Sequence, residues 1–422
     1  MEYFLAAAGQ GYMPAIAFIG YMYEHGNGIP QDYTKAIEWY RVAARQGNVS
    51  SMHNLGVLLY DGKEVSQDLQ EAIVWFHEAA DRNNPSAQNY LGIIYNNGMG
   101  VTQDHEEAAK WFLKSANQGN TRAMNNLGAM YRDGKGGFQD YSKAFGWFFK
   151  AAENGNSSAQ NNLGCMYRDG CGVPQDYYKA MEWFTKATDQ RLASAQRNLG
   201  DMLVDEKCPF WNKVEALKYY HRAADQGDTG AQYKLGVMYH GSDFNEALVW
   251  FLKAADEGHS DAQNALGDMY REGHGVSRDP FEAAEWYRKA ANQENTTAQN
   301  NLGVMYREGS GHCQDPIRAQ AWFLKAASHG NAEAQCNLGC MYRDGKRGGK
   351  GVNQDYHKSL EWFRKAADQK SARAQRYLAK MYEDGLGVPV NEQKATEWYS
   401  KAADQAFKSE TSPFDTEEWF QP

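Results

Sequence analysis

The chain has 422 residues, a formal net charge of −9 at pH 7 and a hydrophobic fraction of 42%. That length leaves room for several domains, while the acidic balance argues against nucleic acid, whose binders concentrate basic surface. No apolar run approaches the roughly 20 residues of a membrane-spanning helix, and the first residues, Met1 to Ala8, lack the basic region and apolar stretch of a signal peptide.

One pattern recurs along nearly the whole chain. A glycine stands at Gly20, Gly56, Gly92, Gly128, Gly164, Gly200, Gly236, Gly267, Gly303 and Gly339, with Ala379 in the eleventh place. Successive steps are 36 residues, except 31 between Gly236 and Gly267 and 40 between Gly339 and Ala379. An aromatic register repeats the same steps through Trp39, Trp75, Trp111, Trp147, Trp183, Tyr219, Trp250, Trp286, Trp322, Trp362 and Trp398. A period of 36 with two hydrophobic arms predicts eleven stacked helix pairs, because one pair cannot bury its apolar faces alone.

In chain order, residues 2–8 align with the back half of a second helix, so the chain is expected to begin in mid-repeat. Repeats one to five are regular, and the fifth shows the unit. Asn156, preceded by Gly155, is the expected N-cap of a first helix, helix A, with Ala159, Leu163, Met166 and Tyr167 on one face. Gly164 inside that helix costs about 1 kcal/mol relative to alanine, so its recurrence implies close approach of a neighbouring helix. The Gly/Pro segment 169–174 breaks the pattern, and Asp176 is the expected cap of helix B, with Ala180, Trp183, Phe184 and Ala187 on its inner face. On this reading Gly164→Leu destabilises far more than Gly172→Leu, although a positive φ at Gly172 would add its own cost. The recurring Trp, Tyr and Met positions are expected in the core.

Three loops depart from the pattern. Repeat six carries Phe210 and Trp211 in its loop, read as tolerated variation or as an exposed apolar contact. Repeat seven shortens the loop to 241–243. Repeat ten lengthens it with Lys346, Arg347 and Lys350, a small basic finger on an acidic chain. The tail beyond Gln405 leaves the period, and its Phe414, Trp419 and Phe420 are expected to fold back on the last helix B or to meet a partner.

The pattern Ala-x-x-x-x-Gly-x-x-Tyr, Gly-x-Gly-Val-x-x-Asp, Lys-Ala-x-x-Trp-Phe-x-Lys-Ala-Ala resembles the Sel-one-like repeat, a relative of the tetratricopeptide repeat, over about residues 2–405. The resemblance implies an all-α, right-handed α-solenoid over 1–405, followed by a tail or cap at 406–422. It implies a non-catalytic scaffold or adaptor that assembles proteins, with no cofactor. It also leaves open a regulatory subunit of an enzyme in cell-wall synthesis or signalling, or a component of endoplasmic-reticulum quality control if a signal peptide lies upstream.

No acid–base or nucleophile constellation is visible, so no enzymatic activity is expected. The six cysteines, Cys165, Cys171, Cys208, Cys313, Cys336 and Cys340, are irregularly spaced and are expected to be reduced and free of metal. The expected reduced thiols and the lack of signal-peptide features in the first residues favour the cytoplasm as the expected location. The Gly-x-Gly pieces follow helices rather than strands, so they are repeat loops and not phosphate loops.

The remaining signal lies on helix A, opposite its apolar stripe. Three and two residues before the repeat glycine stand Asn54, Asn89, Asn125 and Asn126, Asn161 and Asn162, Asn198, Asn264, Asn300 and Asn301, and Asn337. Asparagine is a poor helix former, and each amide offers donors and an acceptor. This face is the candidate groove for an extended peptide or protein ligand, as the resemblance to tetratricopeptide proteins also implies. Neither nucleic acid nor a membrane is expected as a partner.

Overall fold

The structure, a computed structural model, describes residues 1–137, 139–311, 314–345 and 352–410. Among these residues there are 23 helices and no strand. The architecture is an all-α solenoid of helix pairs, divided into two compact units, Met1–Arg222 and Ala223–Pro422. The basic finger at Lys346, Arg347 and Lys350, the thiol of Cys313 and the tail aromatics lie outside the described residues. The last helix runs from Glu392 to Glu410.

The fifth repeat shows why the chain breaks into helices where it does. The Asn156 side chain accepts from the Ala159 amide and starts helix A, Ser157–Asp169, which ends at Gly170 in the left-handed conformation. Asp176 accepts from the amides of Tyr178 and Lys179 and starts helix B, Tyr177–Asp189. Both expected caps are therefore present. Across the short loop, Gln175 Nε2 donates to the Arg168 carbonyl at 2.7 Å, satisfying a helix end that would otherwise be open.

The helix-A glycine makes room for a ring of helix B. A Cβ on Gly164 would lie 2.5 Å from Phe184 Cδ1, and each of the other nine helix-A glycines faces one ring in the same way, from Tyr40 at Gly20 to Phe363 at Gly339. In the eleventh copy Ala379 carries a methyl group, and Tyr399, at the corresponding ring position, is 39% exposed instead of buried. The most deeply buried ring is thus the residue after the tryptophan register. Trp111, Trp183, Trp250 and Trp286 are buried, but Trp39, Trp75, Trp147, Trp322, Trp362 and Trp398 are only half-buried. Lysines three residues on cover several of these rings, as Lys289 does Trp286 at 3.6 Å and Lys186 does Trp183 at 4.0 Å. The expected face residue Tyr167 is also half-buried, with Lys179 lying 5.2 Å from its ring centre.

The expected contrast between Gly164 and Gly172 does not hold. Gly172 has φ of 75°, and a Cβ there would lie 2.6 Å from Tyr141 Cβ and 2.9 Å from its backbone carbonyl. The loop glycine is a close-packed contact with the previous repeat's helix B as well as a left-handed turn residue, so it is no more replaceable than the helical one.

Candidate functional site

The asparagines of helix A form a ladder between successive repeats. In the N-terminal unit, Asn126 Nδ2 donates to Asn89 Oδ1 at 3.0 Å, Asn162 to Asn125 at 2.9 Å and Asn198 to Asn161 at 2.9 Å. In the C-terminal unit, Asn301 donates to Asn264 at 3.2 Å and Asn337 to Asn300 at 2.9 Å. Each bond joins the residue two before a glycine to the residue three before the preceding glycine. The two positions therefore differ in role. The donor asparagine spends a hydrogen on its neighbour, while the acceptor asparagine has its carbonyl end fixed and its Nδ2 turned away from that bond.

Among the described residues, no protein acceptor takes the Nδ2 of Asn125, Asn161 or Asn300, and all three side chains are half-buried. Asn264 differs, because its Nδ2 donates to Asp268 Oδ2 at 3.1 Å. Asn89 and Asn337 are buried. Arg132 and Arg307 add a guanidinium to the row by donating to Asn162 Oδ1 at 3.1 Å and to Asn337 Oδ1 at 3.2 Å. Asn54 does not join the ladder, since its Nδ2 donates to the Tyr40 hydroxyl at 3.3 Å. It instead lines a cavity of about 380 Å³ with Glu24, His53, Asn89, Tyr90 and Arg122. Burial holds the His53 imidazole below the ordinary histidine value, so it sits there neutral near pH 7.

Of the secondary candidates, Trp211 is 49% exposed. Phe210 is half-buried and packs edge-on against Tyr178, with ring centres 4.9 Å apart.

A second polar ladder has no counterpart in the sequence reading. Gln160 Nε2 donates to the Ala152 carbonyl at the end of the previous helix B, and Gln160 Oε1 accepts from Gln190 Nε2 at 2.8 Å. Gln88, Gln263 and Gln335 make the same pair of bonds in their repeats. These glutamines are buried. They close the carbonyl ends of helix B and tie three helices together, which is a structural role. The available signal was an Ala-Gln pair locked to the period, four residues before the glycine.

Among the described residues no cluster of metal-ligating side chains is present, and no helix is long and apolar enough to cross a membrane.

The Sel1 repeat profile matches eleven consecutive segments, 14–48, 49–84, 85–120, 121–156, 157–192, 193–228, 229–259, 260–295, 296–331, 332–371 and 372–407. Among solved structures, the chain is similar to c5321, a protective antigen of uropathogenic Escherichia coli strains displaying an SLR fold. The identity is 33%, the alignment covers 97% of this chain and 90% of that one, and the TM-score is 0.59. A Sel1 repeat protein from Oxalobacter formigenes is 32% identical over 77% of this chain and 93% of its own, with a TM-score of 0.55. No curated protein matches.

Proposed function

The chain belongs to the Sel1 repeat family, whose members generally mediate protein–protein interaction, and from that premise we propose that it is a non-catalytic scaffold. In this reading the asparagine-bearing face of helix A holds an extended segment of a protein partner. The observation that carries it is the division of labour in the ladder. The acceptor position has its amide oriented by the neighbouring repeat, so Asn125 and Asn161 present pre-oriented donors one repeat apart in the N-terminal unit, and Asn300 presents one in the C-terminal unit. Such donors suit the carbonyls of an extended backbone, and orienting them in advance lowers the ordering cost of binding. Each bond adds only about 0.5–1.5 kcal/mol net, so affinity arises from several repeats together.

The test is affinity capture with mass spectrometry, comparing the wild-type chain with the triple variant Asn125→Asp, Asn161→Asp and Asn300→Asp. Aspartate keeps the acceptor that the ladder needs and removes the outward donor. A partner held by the wild type and lost by a folded triple variant supports the reading. Undiminished capture by the variant contradicts it.

A further inference from the structure

A cavity of about 410 Å³ in the C-terminal unit is lined by Cys340 together with Arg307, Arg343, Arg373 and Tyr377. Arg343 and Arg373 flank the Tyr377 ring, at 4.6 and 5.7 Å from its centre. The carboxylate among the lining residues is Asp344, which Arg343 engages at 2.7 Å. Arg373 and Arg307 pair with Glu333 and Glu308 at 3.1 and 3.0 Å. Cys336, one turn earlier on the same helix, Ala332–Asp344, is fully buried. The thiol at the cavity wall therefore has a second thiol behind it and guanidinium groups around it.

We propose that Cys340 is a modification site, the residue of this chain that a hydroperoxide oxidises first, to a sulfenic acid. The sulfur lone pair attacks the terminal oxygen of the peroxide. The S–O bond forms as the O–O bond breaks, the sulfur loses two electrons, and the peroxide leaves as an alkoxide or hydroxide that takes a proton from water. Guanidinium groups at the cavity wall favour both the thiolate and the departing anion. The environment acts in the same direction. Cys336 most of all, then Arg343, Arg373 and Tyr377, hold the Cys340 thiol below its ordinary value against the effect of burial, while Cys336 itself is pushed up. By contrast, burial raises Cys165 and Cys208.

A disulfide between Cys340 and Cys336 is disfavoured while the helix is intact. Residues four apart on a helix have Cβ atoms about 5–6 Å apart, whereas a disulfide needs about 3.5–4.5 Å. The assignment is independent of the partner reading. A Cys340 that stays reduced leaves the scaffold proposal untouched.

The experiment is peptide mapping of all six cysteines after treating the folded, full-length chain with less than one equivalent of hydrogen peroxide in the presence of dimedone. The expected result is that Cys340 carries most of the adduct, that Cys340→Ser abolishes it, and that Arg343→Gln with Arg373→Gln slows it while leaving Cys171 unchanged. The wild-type map decides the matter even where a variant fails to fold. Labelling of Cys171 or Cys313 ahead of Cys340, labelling of Cys340 only after unfolding in urea, or no labelling overturns the proposal.

Discussion

The Tyr287 hydroxyl donates to Asp268 Oδ1 at 2.6 Å, joining helix B to helix A of the same repeat beside Gly267. Tyr220 makes the same bond to Asp201 at 2.8 Å beside Gly200. Where the buried ring is a phenylalanine, the residue after the glycine lacks a carboxylate, as at Val57, Ile93, Ala129, Cys165, Val237, Val304 and Cys340. Tyr40 beside Gly20 departs in position only, donating to Glu24 three residues further along helix A, so each tyrosine of this register has a helix-A carboxylate partner. Burial raises both Tyr287 and Asp268 above their ordinary values, so the two groups depend on each other.

Tyr287→Phe alone should lower stability by about 1–3 kcal/mol, because a half-buried carboxylate loses one hydrogen bond and keeps only those from Asn264 and Arg271. Tyr287→Phe with Asp268→Val rebuilds the Phe323 and Val304 pair of the next repeat and should recover most of that loss. Urea melts of the two variants check this, and equal losses would contradict the pairing.

Glycine substitutions separate space from conformation. Gly164→Ala should cost about 1–3 kcal/mol through the Phe184 ring. Gly172→Ala should cost a comparable amount, since about 1–2 kcal/mol attaches to a left-handed non-glycine residue and Tyr141 crowds the methyl group. Gly146 lies inside helix B, Tyr141–Glu153, with open space around it, so Gly146→Ala should stabilise by about 1 kcal/mol. Chemical denaturation midpoints order the three.

Acid should act through the helix-B caps. Asp32, Asp140, Asp176 and Asp355 are held below the ordinary aspartate value of 3.8, chiefly by the backbone amides they accept from. A depressed folded-state value means that their contribution is complete above pH 3.8 and is lost as pH falls through the depressed values. Replacing all four by asparagine keeps a capping oxygen and removes the titration. The variant's melting temperature should therefore fall less steeply than the wild type's below that pH. Parallel curves would contradict the assignment.

Gln160→Ala should destabilise by about 1–3 kcal/mol, because it removes two hydrogen bonds that tie three helices together, leaving the Ala152 carbonyl with only the Gly155 amide. A thermal melt indistinguishable from wild type would show that water replaces the glutamine.

The period, the helix boundaries and the caps at Asn156 and Asp176 were legible because glycine, proline and capping side chains act locally. The glutamine ladder was not. Gln160 is polar and lies in a helix, and nothing local tells that it faces the end of the preceding helix B rather than water. The tryptophan register misled by one residue for a related reason. Trp183 and Phe184 are both large and apolar, and only the space above Gly164 decides which ring goes deeper. The asparagine row was visible as a row, but not its split into donors and acceptors. That split comes from the offset between neighbouring repeats, which pairs Asn198 with Asn161 rather than with Asn162.

That offset gives the most direct measurement. Take the partner recovered in stoichiometric amount by capture and titrate it calorimetrically against Asn161→Asp, Asn198→Asp and Lys179→Ala, which all change the net charge by the same amount. The account predicts that Asn161→Asp weakens binding by about two- to tenfold with its melting temperature kept, as loss of one hydrogen bond implies. Asn198→Asp should lower the melting temperature by breaking the ladder, and Lys179→Ala should leave affinity unchanged. An Asn161→Asp chain that binds as tightly as wild type would contradict the claim that this face holds the partner.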